Sequence, residues 1–314
     1  MLIDAKDIVI RSSTDSGETF SPIRPIALSN ESVLYTNPLG LLDQHTQNLW
    51  LAYVRCPIPP GAPPGRSVFQ NCTQIVRTSL DIGASWSEEH DIPGSYPQGD
   101  GGVGSGLQLA DGKLIFPRNG RGVLISETHG ESWRLGKPLP HHGESQAVQL
   151  TNGSVIMQMR DSKHAYDYFW CRSDDGGETF EDPCAARSLP RVPDVPTSIL
   201  RLGDALLFSH PNSAVTPCPL GRKNMSKHTN TPHHKLNPGD TSERLLAYSA
   251  LSVSSDGNGD GGWSDMLQVW AGPSAYSSLA ALPGAGLVGL LYEKSTDGIM
   301  PIDFKEIELA VIQM

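Results

Sequence analysis

Ser13-Thr14-Asp15-Ser16-Gly17-Glu18-Thr19-Phe20 is the stretch from which the fold can be read, because the chain repeats it. Ser79-Leu80-Asp81-Ile82-Gly83-Ala84-Ser85-Trp86 and Ser173-Asp174-Asp175-Gly176-Gly177-Glu178-Thr179-Phe180 share its frame, Ser-x-Asp-x-Gly-x-Thr/Ser-aromatic. Ser126-Glu127-Thr128-His129-Gly130-Glu131-Ser132-Trp133 keeps the frame but replaces the Asp. A looser fifth copy, with inserted residues, runs from Ser254 and Asp256 to Trp263. The residue types describe a hairpin turn. Ser and Asp side chains bond turn backbone, Gly takes a positive φ, and the aromatic packs beneath.

Apolar strands precede the copies, as in Asp7-Ile8-Val9-Ile10-Arg11 and Gln74-Ile75-Val76-Arg77. The key positions 15, 81, 128, 175 and 256 are 66, 47, 47 and 81 residues apart. A period of roughly 40–50 residues is that of a four-stranded propeller blade, and the wider gaps imply insertions or a blade without the motif. With 314 residues, Gly 32, Pro 25 and 18% charged residues, the chain has the length and turn content of one large all-β domain. No window sustains helical periodicity over three or four turns, which argues against a helical or doubly wound fold. The expectation is a single β-propeller domain over residues 1–314.

The net charge of −10 disfavours nucleic-acid binding, which requires basic patches. The most apolar later segment, Leu279 to Tyr292, is broken by Pro283 and three glycines, so it reads as a strand pair and not a membrane span. Residues Met1 to Asp7 have no apolar core of signal-peptide length. Cys56, Cys72, Cys171, Cys184 and Cys218 show no CxxC spacing, which disfavours zinc; a disulfide such as Cys171 to Cys184 is one option among several. Sequons at Asn30, Asn71, Asn152 and Asn224 suit a secretory-pathway protein.

The octapeptides resemble the Asp boxes of the sialidase superfamily. That resemblance implies a six-bladed propeller with the boxes on its outer rim, so they speak for fold and not chemistry. Function rests on other segments. His142-Gly143-Glu144-Ser145-Gln146 leads a strand into the turn Leu150-Thr151-Asn152-Gly153, and the returning strand ends at Arg160. Taken alone, Glu144 and Arg160 read as surface residues. Glu-x-Gln, an Asn-Gly turn and a strand-terminal Arg at this spacing are similar to the sialidase pattern. The resemblance implies that Glu144 is the base beside a nucleophilic Tyr and that Arg160 is the second of three substrate-binding arginines. Arg244, before the strand that leads to the fifth box, occupies the place of the third. Tyr276 in Gly272-Pro273-Ser274-Ala275-Tyr276-Ser277-Ser278-Leu279 matches the nucleophile segment, with the nearest resemblance to lysosomal-type animal sialidases. Glu293 in Leu291-Tyr292-Glu293-Lys294 matches the Glu that holds the first arginine.

The residue types fit the chemistry implied. Sialic acid carries a carboxylate on its anomeric carbon, and planar guanidinium groups grip a carboxylate bidentately. A carboxylate nucleophile would meet repulsion there. A neutral phenol would not, provided a neighbouring Glu takes its proton. The implied reaction is retaining hydrolysis of terminal sialic acid from glycoproteins, glycolipids or oligosaccharides through a tyrosyl-glycoside intermediate, with no cofactor and no metal.

Two family elements precede the first box, and only twelve residues do so here. No Arg-Ile-Pro motif supplies the first arginine. The general acid's place falls near Leu2 to Asp4, so Asp4 is the candidate, while Asp7 reads as structural. Ile23-Arg24-Pro25-Ile26 imitates the missing motif but lies after the first box. The expectation is a first blade incomplete in this chain, with Met1 not the true start. The alternative is a catalytically inactive propeller that binds sialylated glycans. A lysosomal or secretory location follows from the resemblance and the sequons.

Three other motifs carry less. Asp256-Gly257-Asn258-Gly259-Asp260-Gly261 imitates the opening of a calcium loop, but the closing Glu position holds Leu267. His228, His233 and His234 lie in a Pro/Asn-rich stretch without Cys or carboxylate partners. Gly99 to Gly106 lacks the Lys-Ser/Thr of a phosphate loop, and the resemblance places it at the border of the sugar pocket.

Overall fold

A computed structural model describes residues 7–61, 71–92, 104–119, 121–139, 143–160, 168–181, 185–187, 197–212, 248–254, 267–270, 274–284, 286–294 and 306–313. Among the described residues there are strands and turns but no α-helix, in keeping with the periodicity of the sequence.

The described strands fall into six sheets. β1 (Ile8–Ile10) pairs with β2 (Arg24–Ala27). The second sheet has β3 (Val33–Leu42), β4 (Leu49–Pro57), β5 (Thr73–Ser79) and β6 (His90–Asp91) in antiparallel succession, and β7 (Gly104–Ser105) lies parallel beside β3. The third is an antiparallel run of β8 (Leu107–Gln108), β9 (Leu114–Pro117), β10 (Val123–Ser126) and β11 (Arg134–Leu135). The fourth has β12 (Ser145–Gln149), β13 (Val155–Arg160), β14 (Tyr168–Ser173) and β15 (Ala185–Arg187) in that order. The fifth has β16 (Ser198–Leu202), β17 (Ala205–Asn212), β18 (Tyr248–Ser254) and β19 (Leu267–Trp270). The last has β20 (Ser274–Ala281), β21 (Leu287–Lys294) and β22 (Glu306–Gln313).

Each described box links two neighbouring strands at one edge of a sheet: β1 to β2, β5 to β6, β10 to β11, and β14 to β15. The fifth lies between β18 and β19, and its residues after Ser254 are outside the described residues. Sheets therefore follow the repeat, but not uniformly. The second has five strands because β7 joins beside β3, and the last has three among the described residues.

The boxes behave as their residue types dictate. The Ser13, Ser79 and Ser173 hydroxyls each accept the N–H of the box glycine, at 2.7, 2.7 and 2.8 Å. Asp15, Asp81 and Asp175 accept the N–H of the following Thr or Ser at 2.8–2.9 Å. In each of the four described copies two successive residues take positive φ: Ser16-Gly17, Ile82-Gly83, His129-Gly130 and Gly176-Gly177. Thr128 explains how the third copy survives without its Asp. Its hydroxyl accepts the Ser132 N–H at 2.9 Å, so one oxygen replaces the carboxylate. His129 then reaches across to the β3–β4 hairpin, where Nδ1 lies 2.9 Å from the fully buried Asp43.

By contact density the chain divides into two compact units, Met1–Met157 with Cys171–Cys184 and Gln158–Trp170 with Ala185–Met314. In the first unit Leu39, Leu41, Ala52, Val76, Ile92, Leu114, Phe116 and Leu124 form a core from the second and third sheets, with Trp50 and Trp133 against it. Fully burying such side chains contributes ~1.5–3 kcal/mol each. In the second unit Leu207, Leu279, Val288, Leu290 and Tyr292 do the same for the fifth and last sheets.

Cys56 and Cys72 are disulfide-bonded, a pair the sequence reading did not single out. Arg55 pairs with Thr73 in the β4–β5 register, which sets the next two residues, Cys56 and Cys72, across from one another. Cys171 is also disulfide-bonded; Cys184, the partner considered for it from the sequence, lies outside the described residues.

Candidate active site

In the second unit, β20 and β21 bring Tyr276 and Glu293 together, as the order of the two segments implies. Ser274 pairs with Lys294 and Ser277 with Tyr292, so Ala275 and Tyr276 both oppose the single residue Glu293. This is a β-bulge, a device that re-aims a side chain and is over-represented beside active sites. The bulge withdraws the Tyr276 N–H from the ladder, and it donates instead to Glu293 Oε2 at 3.2 Å. Tyr276 is 40% exposed, so a solute can reach it. Tyr292, one residue before the Glu, is buried in the core and fixes the face on which β21 lies. Lys294 Nζ stands 5.0 Å over the Trp270 ring, a cation–π contact that holds the end of β21 against β19.

The same strand is tied to the fifth sheet by hydroxyls. Ser209 Oγ lies 2.7 Å from Ser277 Oγ, and the Leu279 N–H donates to Ser198 Oγ at 2.9 Å. Sequence reading missed Ser198 and Ser209, since serines in apolar strands carry no signal until the register is known. Nearby, Gln158 Nε2 donates to Thr197 Oγ1 at 2.6 Å, with both residues buried. Gln158 is two residues before Arg160 on β13. The Arg160 side chain lies outside the described residues, as do Arg244 and Asp4.

Glu144 belongs to the first unit, immediately before β12. It is half-buried, followed by the buried Ser145 and Gln146. Gln146 Nε2 donates to Ser105 Oγ at 3.3 Å. Two glycines in the preceding run permit this approach. A β-carbon on Gly104 (φ +100) would meet the Gln146 amide at 3.1 Å, and one on Gly106 would meet the Phe116 ring at 2.6 Å. The described end of that run, 104–106, thus borders the strand that begins after Glu144.

Arg24, in the motif that imitates Arg-Ile-Pro, has a different task. Its guanidinium donates to the carbonyls of Gly83 at 2.6 Å and Ala84 at 2.9 Å, closing the second box.

A polar cleft of about 480 Å³ in the first unit is lined by His45, Gln108, Asp111, Lys113, Glu127 and His129, and includes none of the candidate residues. Its polar groups are engaged with one another. Burial opposes the charge on Asp43, but hydrogen bonds from Thr46, the His45 N–H, Gln108 and His129 outweigh it and hold the carboxyl below its usual range. The ring of His45 stacks on His129 at 4.7 Å. This is a clasp between the β3–β4 hairpin and the third box. Among the described residues no group of three or more His, Cys, Asp and Glu is arranged to hold a metal ion. Asp256–Gly261 and the three loop histidines are outside the described residues. No helix among the described residues is long and apolar enough to cross a membrane.

Comparison with known proteins adds the family. A sialidase of Micromonospora viridifaciens is 25% identical over 326 residues, covering 92% of this chain and 45% of that protein. A sialidase of Bacteroides fragilis (strain YCH46) is 24% identical over 241 residues, covering 66% of this chain and 44% of that protein. The chain thus spans less than half the length of these relatives. Among solved structures, the Hadza microbial sialidase Hz136 superposes with a TM-score of 0.71 at 21% identity, over 92% of this chain and 57% of that one. The profile of the BNR repeat-like domain family matches residues 4–290. With its repeated box turns and that match over most of its length, the chain belongs to the BNR repeat-like domain family.

Proposed function

We propose that residues 1–314 form a single six-bladed sialidase propeller and that the protein is an exo-α-sialidase cleaving terminal sialic acid from glycoconjugates with retention of configuration. The observation that carries the reading is the bulge that sets Tyr276, half-exposed, against Glu293. The sialidases among its relatives support the substrate class. Six sheets support six blades, with β1 and β2 as the outer strands of the first.

In this reading Glu144 takes the phenolic proton as the Tyr276 oxygen bonds to the anomeric carbon and the glycosidic C–O bond breaks. Arg160 and Arg244 grip the substrate carboxylate, and Glu293 orients the first of the three arginines, the one without a candidate in residues 1–314, while holding the Tyr276 backbone. Asp4 is the candidate acid that protonates the leaving oxygen. Water then attacks the tyrosyl glycoside and releases sialic acid as the phenol regains its proton. No cofactor takes part. The nucleophile segment resembles lysosomal-type animal sialidases, although the relatives named above are bacterial. The disulfides fit an oxidising compartment, lysosomal or secretory, and Asn30, Asn71 and Asn152 are all exposed at their sequons.

A 3-fluorosialyl fluoride, which slows release of the covalent intermediate, tests the nucleophile. Peptide mapping is expected to find the fluorosialyl mass on the Ser274–Ala281 segment at Tyr276. Labelling elsewhere, or turnover without labelling, would overturn the assignment. A propeller that binds sialosides but releases no sialic acid would point to the glycan-binding alternative.

A further inference from the structure

β16 and β17 pair with Ser198 opposite Ser209, so the two hydroxyls stand side by side on one face of the fifth sheet. Both serines are buried, at 0% and 1% exposure. Their hydroxyls reach β20 at two same-face positions two residues apart, the Leu279 N–H at 2.9 Å and the Ser277 hydroxyl at 2.7 Å. Among the described strands β20 pairs only with β21, so its other edge presents backbone donors that no ladder satisfies. Ser198 satisfies one of them without adding a strand. On the opposite edge, the Glu293 carboxylate holds the Tyr276 N–H at 3.2 Å.

We infer that Ser198 and Ser209 are positioning residues for Tyr276, a buried hydroxyl pair that holds β20 in place beside the bulge. The inference rests on the reading of Tyr276 as the nucleophile. Two bonds from a rigid cross-strand pair fix β20 both along its length and about its axis. The bulge would otherwise be free to relax, since it leaves residues 275 and 276 outside the regular ladder. Glu293 fixes the strand from one side and the serines from the other, and Tyr276 lies between them. A hydroxyl is required at these places. Alanine at 198 would leave the Leu279 N–H unsatisfied, alanine at 209 would remove the partner of the Ser277 hydroxyl, and a larger side chain at either place would push β20 away from a face where Leu279 is packed.

The test is steady-state kinetics on a fluorogenic sialoside with Ser198→Ala, Ser209→Ala, Ser277→Ala and the Ser209→Ala/Ser277→Ala double variant in the whole protein. Each single change is expected to lower kcat about tenfold to a hundredfold, the scale of a nucleophile displaced by less than about 1 Å, with KM altered less than about twofold. The double variant should lose no more than the worse single one, because the two changes remove one shared bond. Ser277→Thr should keep most of kcat, and Ser277→Val, of the same shape without the hydroxyl, should not. A purely structural role would lower the melting temperature and leave kcat per folded molecule unchanged, and that result overturns the inference. So would equal kcat in the Thr and Val variants. If the parent protein releases no sialic acid, the sialidase reading fails and takes the inference with it. If the parent is active and Ser209→Ala is as fast, the inference fails alone.

Discussion

Two glycines with nearly the same backbone isolate how tightly a box turn is packed. Gly130, in the third box, has φ +91, and Gly153, in the β12–β13 turn, has φ +89. A β-carbon on Gly153 would meet nothing within 4 Å, whereas one on Gly130 would overlap the Trp50 indole. Gly153→Ala therefore carries only the cost of a left-handed alanine, ~1–2 kcal/mol. Gly130→Ala carries that cost and also an overpacking cost of ~1–3 kcal/mol. Trp50 has little room to yield, because it meets Trp133 edge-on at 5.6 Å and Trp133 lies 5.2 Å from Phe116. In a unit of this size each kcal/mol lowers the melting temperature by about 2–4 °C. Thermal unfolding followed by circular dichroism should then show a fall of about 4 °C for Gly153→Ala and about 10 °C for Gly130→Ala. Equal shifts would refute the reasoning, since they would mean that Trp50 does not press on the turn.

Two further outcomes follow from the first unit. Replacing Cys56 and Cys72 together by Ala opens a loop of sequence separation 16 and should cost about 3 kcal/mol, read from urea unfolding of the oxidised parent and the variant; an unchanged midpoint would contradict it. Hydrogen bonds from Ser13 and Thr19 to Asp15, and from Ser85 and Ser79 to Asp81, lower both carboxyl pKa values from 3.8 to about 2. Their contribution is present above pH 3.8 and is lost as the pH falls through about 2. Asp81→Asn should flatten the pH dependence of stability in that window, and a parallel curve would show that the carboxylate contributes nothing there.

Much of the fold was legible because the box turn is local chemistry. Its Ser, Asp, Gly and aromatic positions interact within eight residues, so their spacing marks where sheets turn. The Thr128 copy could be recognised from its frame alone, and the reason it persists, one hydroxyl standing in for a carboxylate, needed coordinates. The strand pair that Tyr276 and Glu293 flank was legible from the apolar run Leu279 to Tyr292, broken by Pro283 and three glycines. The bulge between them was not, because a two-against-one register leaves no mark in composition. Nor was the bond between Cys56 and Cys72, whose opposition depends on how β4 and β5 align. Ser198, Ser209 and the Asp43–His129 clasp illustrate the same limit. Each joins residues 68 to 86 positions apart, or ties two strands that only tertiary packing brings together.

The central claim is that Tyr276 carries out sialoside hydrolysis, and the most direct measurement is release of free sialic acid by the parent protein and by Tyr276→Phe. Removing the phenolic oxygen leaves the strand and its bond to Glu293 in place, because that bond is made by the backbone N–H. Release by the parent and its near-complete loss in the Phe variant, with sialoside binding retained, is the predicted result. Equal release by the two proteins would contradict the account.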